Sequence, residues 1–343
     1  MYKETYIEYT VIFKQYDGNN LYQYTYHYGD TIVLPENPTR ESTISHAYEF
    51  AGWSPEVAQT VTQNLEYIAT YEEKDINYTL IFNNYDGTEI KRIENYHYGD
   101  TFSFPADPTK ESTEEIKYEF SGWKSGGTEE ISKTEVNMIF VAEYTEKYFV
   151  ARIVETDELE GKSYLTLEEA VKNVAAEERT IKMLQDTEES IMIEDDQNVT
   201  IDLNGKTITG SRTTTKGYAI KNYGKLTITD TTEEKTGKIK EIANTLIGYG
   251  IHNRDGEVSI EAGTIVTETA QVKGITYGIY NQSAKPVTVK GGSVIAEARG
   301  ENSTSCGIYN LAGEMVQVTG GMVLANANAE SSISYGIYNK TNG

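Results

Sequence analysis

One phrase recurs at near-constant intervals and narrows the fold more than any other feature of the chain. Tyr-Gly-Ile-Tyr-Asn stands at Tyr277–Asn281 and at Tyr335–Asn339, with near-copies at Tyr249–Asn253 and Cys306–Asn310 and a diverged one at Tyr218–Asn222. From Ala219 the steps are 31 residues to Gly250, 28 to Gly278, 29 to Gly307 and 29 to Gly336. A period of that size marks stacked units, each burying its apolar side only against its neighbours. Every unit holds three short strand patterns. The first is the phrase itself. The second alternates, in Leu226/Ile228, Val258/Ile260, Val287/Val289 and Val316/Val318. The third carries Ile239, Ile265, Val294 or Val323, with Gly263, Gly292 and Gly321 spaced in step with the phrase. Three parallel strands per coil predict a right-handed parallel β-helix over 148–343.

Period-two alternation assigns faces within the phrase. Ile220, Ile251, Ile279, Ile308 and Ile337 point inward, and Tyr218, Tyr249, Tyr277, Cys306 and Tyr335 fall on the same inner side. Cys306 then reads as an inert core thiol. The outward neighbours are Lys221, His252, Tyr280, Tyr309 and Tyr338, of which the tyrosines form an exposed aromatic ladder, one rung per strand spacing of about 4.8 Å. Asn222, Asn253, Asn281, Asn310 and Asn339 fall at the following corner, where an amide ladder would satisfy turn backbone. The polar segments Thr267–Thr276, Ala296–Ser305 and Ala325–Ser334 are expected to project from one edge as loops.

Upstream, Tyr148–Glu155 reads as a strand. Thr166-Leu167-Glu168-Glu169 is a capping box, followed by Leu167, Ala170, Val171, Val174 and Ala175 at helical spacing. This predicts a helix over about 166–177 that plugs the apolar end of the solenoid, or alternatively docks on the preceding unit. Ile181–Leu184, Ile191–Ile193 and Val199–Gly205 are strand-like.

The first 147 residues carry a different, longer repeat. Tyr9–Phe13 (Tyr-Thr-Val-Ile-Phe) matches Tyr78–Phe82 (Tyr-Thr-Leu-Ile-Phe), and Tyr16-Asp17-Gly18 matches Tyr85-Asp86-Gly87. His27–Asp30 matches His97–Asp100, Asn37–Thr43 matches Asp107–Thr113, and Tyr48–Trp53 matches Tyr118–Trp123. Alternating apolar residues before an Asp-Gly turn predict a hairpin. The single Trp of each copy is the expected core anchor. An insertion at Ser125-Gly126-Gly127 should change a loop and leave the fold alone. His27 and His97 read as repeated strand ends, because no second His or Cys sits at metal spacing. Tyr2 precedes Tyr9 by seven positions as Tyr71 precedes Tyr78, so residues 1–8 read as the tail of an upstream copy. The chain stops at Asn342-Gly343, just inside a new coil, so the solenoid is expected to continue in the native protein. The expected domains are thus 1–8, 9–75, 76–147 and 148–343.

The opening Tyr-Thr-Val-Ile-Phe, the Tyr-Asp-Gly, the Tyr-Gly-Asp, the Pro-Thr-Arg-Glu and the closing Phe-Ala-Gly-Trp before Ala69-Thr70-Tyr71 resemble the Listeria–Bacteroides repeat, known also from the B repeat of internalin-type surface proteins. That resemblance implies two β-grasp-like units in tandem, used as stalk or spacer on a bacterial surface. Residues 160–343, including Tyr-Leu-Thr-Leu-Glu-Glu-Ala and Val-Thr-Ile-Asp-Leu-Asn-Gly, are similar to the pectate-lyase-like solenoids of exported bacterial proteins. That fold hosts lyases, hydrolases and non-catalytic adhesins alike.

Composition bears on partners. With 53 acidic against 30 basic residues the net charge is −23, and no basic stripe exists to neutralise the phosphates of nucleic acid or an anionic membrane. The lone cysteine rules out an intrachain disulfide. No apolar run long enough to span a membrane is visible. An enzyme needs converging acids, or an acid with a basic partner. Asp202, Asp230 and Asp255 lie on different strands or turns, and Arg212, Arg254 and Arg299 are scattered. No EF-hand loop and no Gly-Gly-x-Gly-x-Asp repeat is present, so no cofactor is expected, with calcium on the acidic residues as an alternative that no motif supports. The expectation is therefore a mainly β, non-catalytic segment of an extracellular bacterial surface protein, built for adhesion or display. Its expected contact residues are Tyr280, Tyr309, Tyr338 and His252, and its expected partner is a polysaccharide or a surface protein. A polysaccharide-degrading enzyme and a purely structural stalk are the alternatives.

Overall fold

A computed structural model describes residues 6–156, 161–174, 177–210, 217–243, 245–312 and 315–340. Tyr2, Ala175, Arg212, Asn342 and Gly343, which figure in the expectations above, lie outside the described residues. The protein is mainly β, with two small β-sheet units followed by a parallel β-solenoid of about 5 turns. The chain divides into two compact units. One takes in the chain up to Lys110 together with Glu119–Thr145, and the other takes in Glu111–Tyr118 and the chain from Glu146 onward.

The first repeat forms β1 (Glu8–Lys14), β2 (Asn20–His27), β3 (His46–Ser54) and β4 (Leu65–Asp75), in the sheet order β2-β1-β4-β3. The central pair is parallel, with Phe13 opposite Tyr67, and each flanking pair is antiparallel. The second repeat copies this with β5 (Asn77–Asn83), β6 (Glu89–Tyr96), β7 (Ile116–Ser132) and β8 (Glu135–Tyr148), in the order β6-β5-β8-β7. The Asp-Gly turns close the first hairpin of each copy. Gly18 and Gly87 take φ near +87°, which glycine adopts freely, while Asp17 and Asp86 each accept the amide two residues on.

Two expectations for the repeats need correction. The buried anchor of each copy is a phenylalanine. Phe13 and Phe82 are fully buried, and the half-buried Trp53 and Trp123 pack on them edge-to-face at 4.7 and 5.2 Å. Position decides this: Phe13 and Phe82 sit on central strands, covered from both sides, while each Trp lies on an edge strand. Secondly, Ser125-Gly126-Gly127 is no loop. It lies inside β7, which runs on to meet β8 as a long hairpin, where the first copy leaves its sheet at Ser54.

In the solenoid three sheets stack in parallel register. The sheet carrying the repeated phrase consists of Ile191–Ile193, Tyr218–Asn222, Ile247–Asn253, Ile275–Asn281, Thr304–Asn310 and Ile333–Asn339. A second contains Asn198–Asp202, Lys225–Thr229, Glu257–Ile260, Val287–Val289 and Val316–Val318. The third includes Lys238–Ile242, Thr264–Thr269, Ser293–Ala298 and Met322–Ala327. Ile220, Ile251, Ile279 and Ile308 meet Leu226, Ile239, Val258, Ile265, Val289 and Val294 in one continuous apolar core. At about 25 cal/mol per Å² of apolar surface removed from water, each such side chain contributes on the order of 2 kcal/mol. Ile337, on the last described coil, is exposed because no further described strand covers it.

In each of the segments expected to project as a loop, half the residues are strand. Strands end at Thr269, Ala298 and Ala327 and resume at Ile275, Thr304 and Ile333. Their polarity misleads because the hydroxyl residues turn inward: Thr267, Thr276 and Ser305 are fully buried, and the Thr267 hydroxyl donates to the Tyr277 carbonyl at 2.9 Å.

Helix α1 spans Leu167–Lys172, shorter than expected. Thr166 accepts the Glu169 amide at 3.1 Å, which is one half of the expected capping box; among the described residues no amide is held by the Glu169 carboxylate. The remaining free amides are served from elsewhere, since the Glu189 carboxylate accepts from Leu167 and Glu168 at 3.0 and 2.9 Å. Leu167, Ala170, Val171 and Val174 join the solenoid core.

Candidate functional site

The site grows from one local irregularity repeated in each coil. Within the phrase, Gly278 and Ile279 are both buried, so strict alternation slips by one residue. The inter-strand register skips the glycine each time, pairing Tyr249 with Tyr277 and then Ile251 with Ile279. A Cβ at Gly278 would lie 2.5 Å from Val294 Cγ1 and 2.6 Å from the Gly307 carbonyl oxygen, and Gly250 and Gly307 are equally confined. Only glycine lets the backbones approach so closely.

The slip overturns the inward assignment of Tyr249, Tyr277 and Tyr335. Their rings lie against the outward column instead of the core: Tyr249 stacks on His252 at 4.7 Å, Tyr277 meets Tyr280 at 4.9 Å, and Tyr335 meets Tyr338 at 5.1 Å. Between coils, Tyr280 stacks on Tyr309 at 5.3 Å and Tyr309 on Tyr338 at 5.0 Å, both with ring planes 16° apart. Tyr249 stacks on Tyr277 at 5.5 Å. The result is an aromatic face two columns wide, with His252 as its first rung in one column. Lys221 pairs with His252 in register but turns its ammonium over the Tyr223 ring, 5.1 Å from the centroid.

Burial pushes the Tyr249, Tyr277 and Tyr309 phenols above their ordinary range, so they are protonated donors at neutral pH. Among the described residues, no group hydrogen-bonds the hydroxyls of Tyr277, Tyr280, Tyr309 or Tyr338. His252 is held by Gln282 at 2.9 Å. Burial, aided by Arg254 and Lys221, lowers its basicity against the opposing pull of Gln282. Cys306 occupies a tyrosine position and is fully buried. Its thiol donates to the Ile308 carbonyl at 3.3 Å, and burial pushes its pKa up to about 12, which makes it a poor nucleophile.

Beside the face runs a chain of amides. Asn222 Nδ2 donates to Asn253 Oδ1 at 2.8 Å, Asn253 to Asn281 at 2.7 Å, Asn281 to Asn310 at 2.8 Å and Asn310 to Asn339 at 3.0 Å. The second hydrogens of Asn222, Asn253 and Asn281 go to the carbonyls of Gly224, Gly256 and Ser283. Among the described residues Asn222 Oδ1 has no partner, because Ile193 holds the matching place in the coil before.

The acids do not converge on open space. Asp202 accepts from the Asn204 and Thr231 amides and from the Thr231 hydroxyl. Asp230 accepts from the amides of Gly205, Thr232 and Gly237 and from the Thr232 hydroxyl. Burial alone would raise the Asp230 pKa, but these bonds together lower it. Asp255 and Arg254 are exposed, and Arg299 pairs with Glu297 at 2.7 Å. His27 and His97 are exposed and lie 3.6 and 3.5 Å from Asp30 and Asp100. Among the described residues, no three His, Cys, Asp or Glu side chains could hold a metal together.

Alternation alone could not reveal the inner tyrosine column or the Glu189 cap. The glycine inside four of the five phrases was the available sign of a bulge.

Residues 9–75 and 78–143 each match the Listeria-Bacteroides repeat domain. No curated protein and no solved structure gives a match to this chain. Proteins carrying this repeat are typically exposed at the cell surface. Among the described residues, no helix is long and apolar enough to cross a membrane.

Proposed function

We propose that this chain is a segment of an extracellular bacterial surface protein, in which the two repeats act as spacers and the solenoid displays an adhesive face. In this reading α1 seals the first coil, and Tyr280, Tyr309, Tyr338 and His252 make the contact with a glycan or a surface protein. The observation that carries it is the two-column aromatic face. Aromatic side chains held rigid at a surface bind at low entropic cost, and tyrosine is the residue type most at home in such contacts. No observation favours the enzyme alternative, since Asp202 and Asp230 commit their oxygens to turn amides. Beads coated with the chain should adhere to bacterial or host cells, and Tyr280→Ser/Tyr309→Ser/Tyr338→Ser beads, carrying a protein with unchanged melting, should not. Equal adherence of the two would remove the face from the function.

A further inference from the structure

We propose that the aromatic face binds an uncharged, extended polysaccharide laid along the solenoid axis, about one sugar per coil, with the phenol hydroxyls of Tyr280, Tyr309 and Tyr338 as its hydrogen-bonding groups. This rests on the reading of the face as an adhesive surface and names what the surface takes.

The ring geometry sets the chemistry of the contact. Tyr280, Tyr309 and Tyr338 cover one another's faces, with ring planes 16° apart at each step. The stack therefore offers a ligand its ring edges and its hydroxyls. Those hydroxyls have no partner among the described residues. A purely apolar partner would strip water from a row of donors and return nothing, at a cost of about 1–3 kcal/mol for each group left unmade. A ligand dense in hydroxyls satisfies every rung. The tyrosines are also ordered before binding, since Tyr280 and Tyr309 are each stacked by the ring of the next coil and Tyr338 is held between Tyr309 and Tyr335, so little rotamer freedom is lost.

Spacing separates a glycan from a peptide. Successive rungs are 5.3 and 5.0 Å apart between ring centroids. An extended peptide along the axis repeats its side-chain direction only every two residues, about 6.6 Å, and falls out of step with coils about 4.8 Å apart. A pyranose ring with its linkage advances a chain by about one coil. The same chemistry on every rung suits a polymer of repeating units better than a compact ligand.

Charge narrows the polymer further. The net charge of −23 repels polyanions such as uronate chains at long range. In the outward column, burial lowers the basicity of His252, so this rung resists taking the proton that would attract a polyanion.

The test uses the full chain and calorimetric titration with neutral β-linked hexose oligosaccharides of increasing length, with polygalacturonate as the anionic control. Affinity should climb with length to about four sugars, one for each rung from His252 to Tyr338, and then level off. Tyr280→Phe/Tyr309→Phe/Tyr338→Phe keeps the stack and removes only the hydroxyls. It should melt with the parent and bind at least about tenfold more weakly. Preference for polygalacturonate, no binding of neutral polymers, or undiminished binding by the Phe variant would each overturn the proposal. The bead assay separates the two levels. Adherence that the Ser variant loses, but that survives periodate oxidation of the target's glycans, overturns the polysaccharide and leaves the adhesive face standing with a protein partner. Adherence indifferent to the Ser substitutions overturns both.

Discussion

At the scale of single residues, the solenoid uses polar side chains to finish what the backbone leaves open. The buried asparagines pass hydrogen bonds from coil to coil, and Asp230 gathers three amides and a hydroxyl at one turn. An unpaired amide or carboxylate at such depth would cost several kcal/mol, which is why these positions are occupied by groups that can both reach and accept. His252 is the residue of this kind whose charge changes near neutrality. Burial lowers its folded pKa below the unfolded value of about 6.5, so the unfolded chain binds the proton more readily. Its contribution to stability is therefore complete above that value and is lost as pH falls through the folded pKa. His252→Tyr, the residue of the three following coils, should flatten this part of the profile. Thermal melts of both proteins between pH 7 and 5 would read it, and parallel pH slopes would refute the assignment.

At the scale of elements, the informative unit is the bulged strand. Its glycine brings two successive residues inward and turns the preceding tyrosine out beside the next one. Gly278→Ala puts a methyl against Val294 and the Gly307 carbonyl and should cost about 1–3 kcal/mol through overpacking. Ala219 holds the matching place on the strand between Ile191–Ile193 and Ile247–Asn253, so the penalty belongs to the local packing around Gly278 and not to the phrase as such. Denaturant melts monitored by tyrosine fluorescence would test this, and an unchanged midpoint would mean that the close approach is relaxed in solution. The repeats show another element-scale device. In the first, Arg40 lies over Tyr16 and Tyr48, 4.2 and 3.4 Å from their centroids. In the second, Lys110 lies over Tyr85 at 4.6 Å. Each cation pins its extended segment to the sheet through the ring faces.

At the scale of the whole molecule, stability in the solenoid is a sum over neighbouring coils, so damage to an interior coil spreads. Ile279→Asp buries an unpaired carboxylate between Val289, Val294 and the isoleucines of adjacent coils. It should abolish the solenoid's melting transition while the repeats, with their own Phe13 and Phe82 centres, keep theirs. Calorimetry showing both transitions intact would place Ile279 outside the core.

The 29-residue period, the paired Asp-Gly hairpins and the inward isoleucines were legible in the chain because each follows from local pattern. A strand alternates by geometry, and a repeat must stack on its like. The asparagine column could be read for the same reason, since one residue type at one register position lands on itself in every coil. What the chain alone misassigned was the side on which Tyr249, Tyr277 and Tyr335 lie, because a one-residue slip at glycine reverses every side chain before it. It also could not supply Glu189 as the cap of α1, 22 residues away from Leu167, or show that Thr267 and Thr276 face inward. Those depend on which segments meet across the solenoid, and such meetings are decided by packing between coils, where a single backbone's periodicity carries no information.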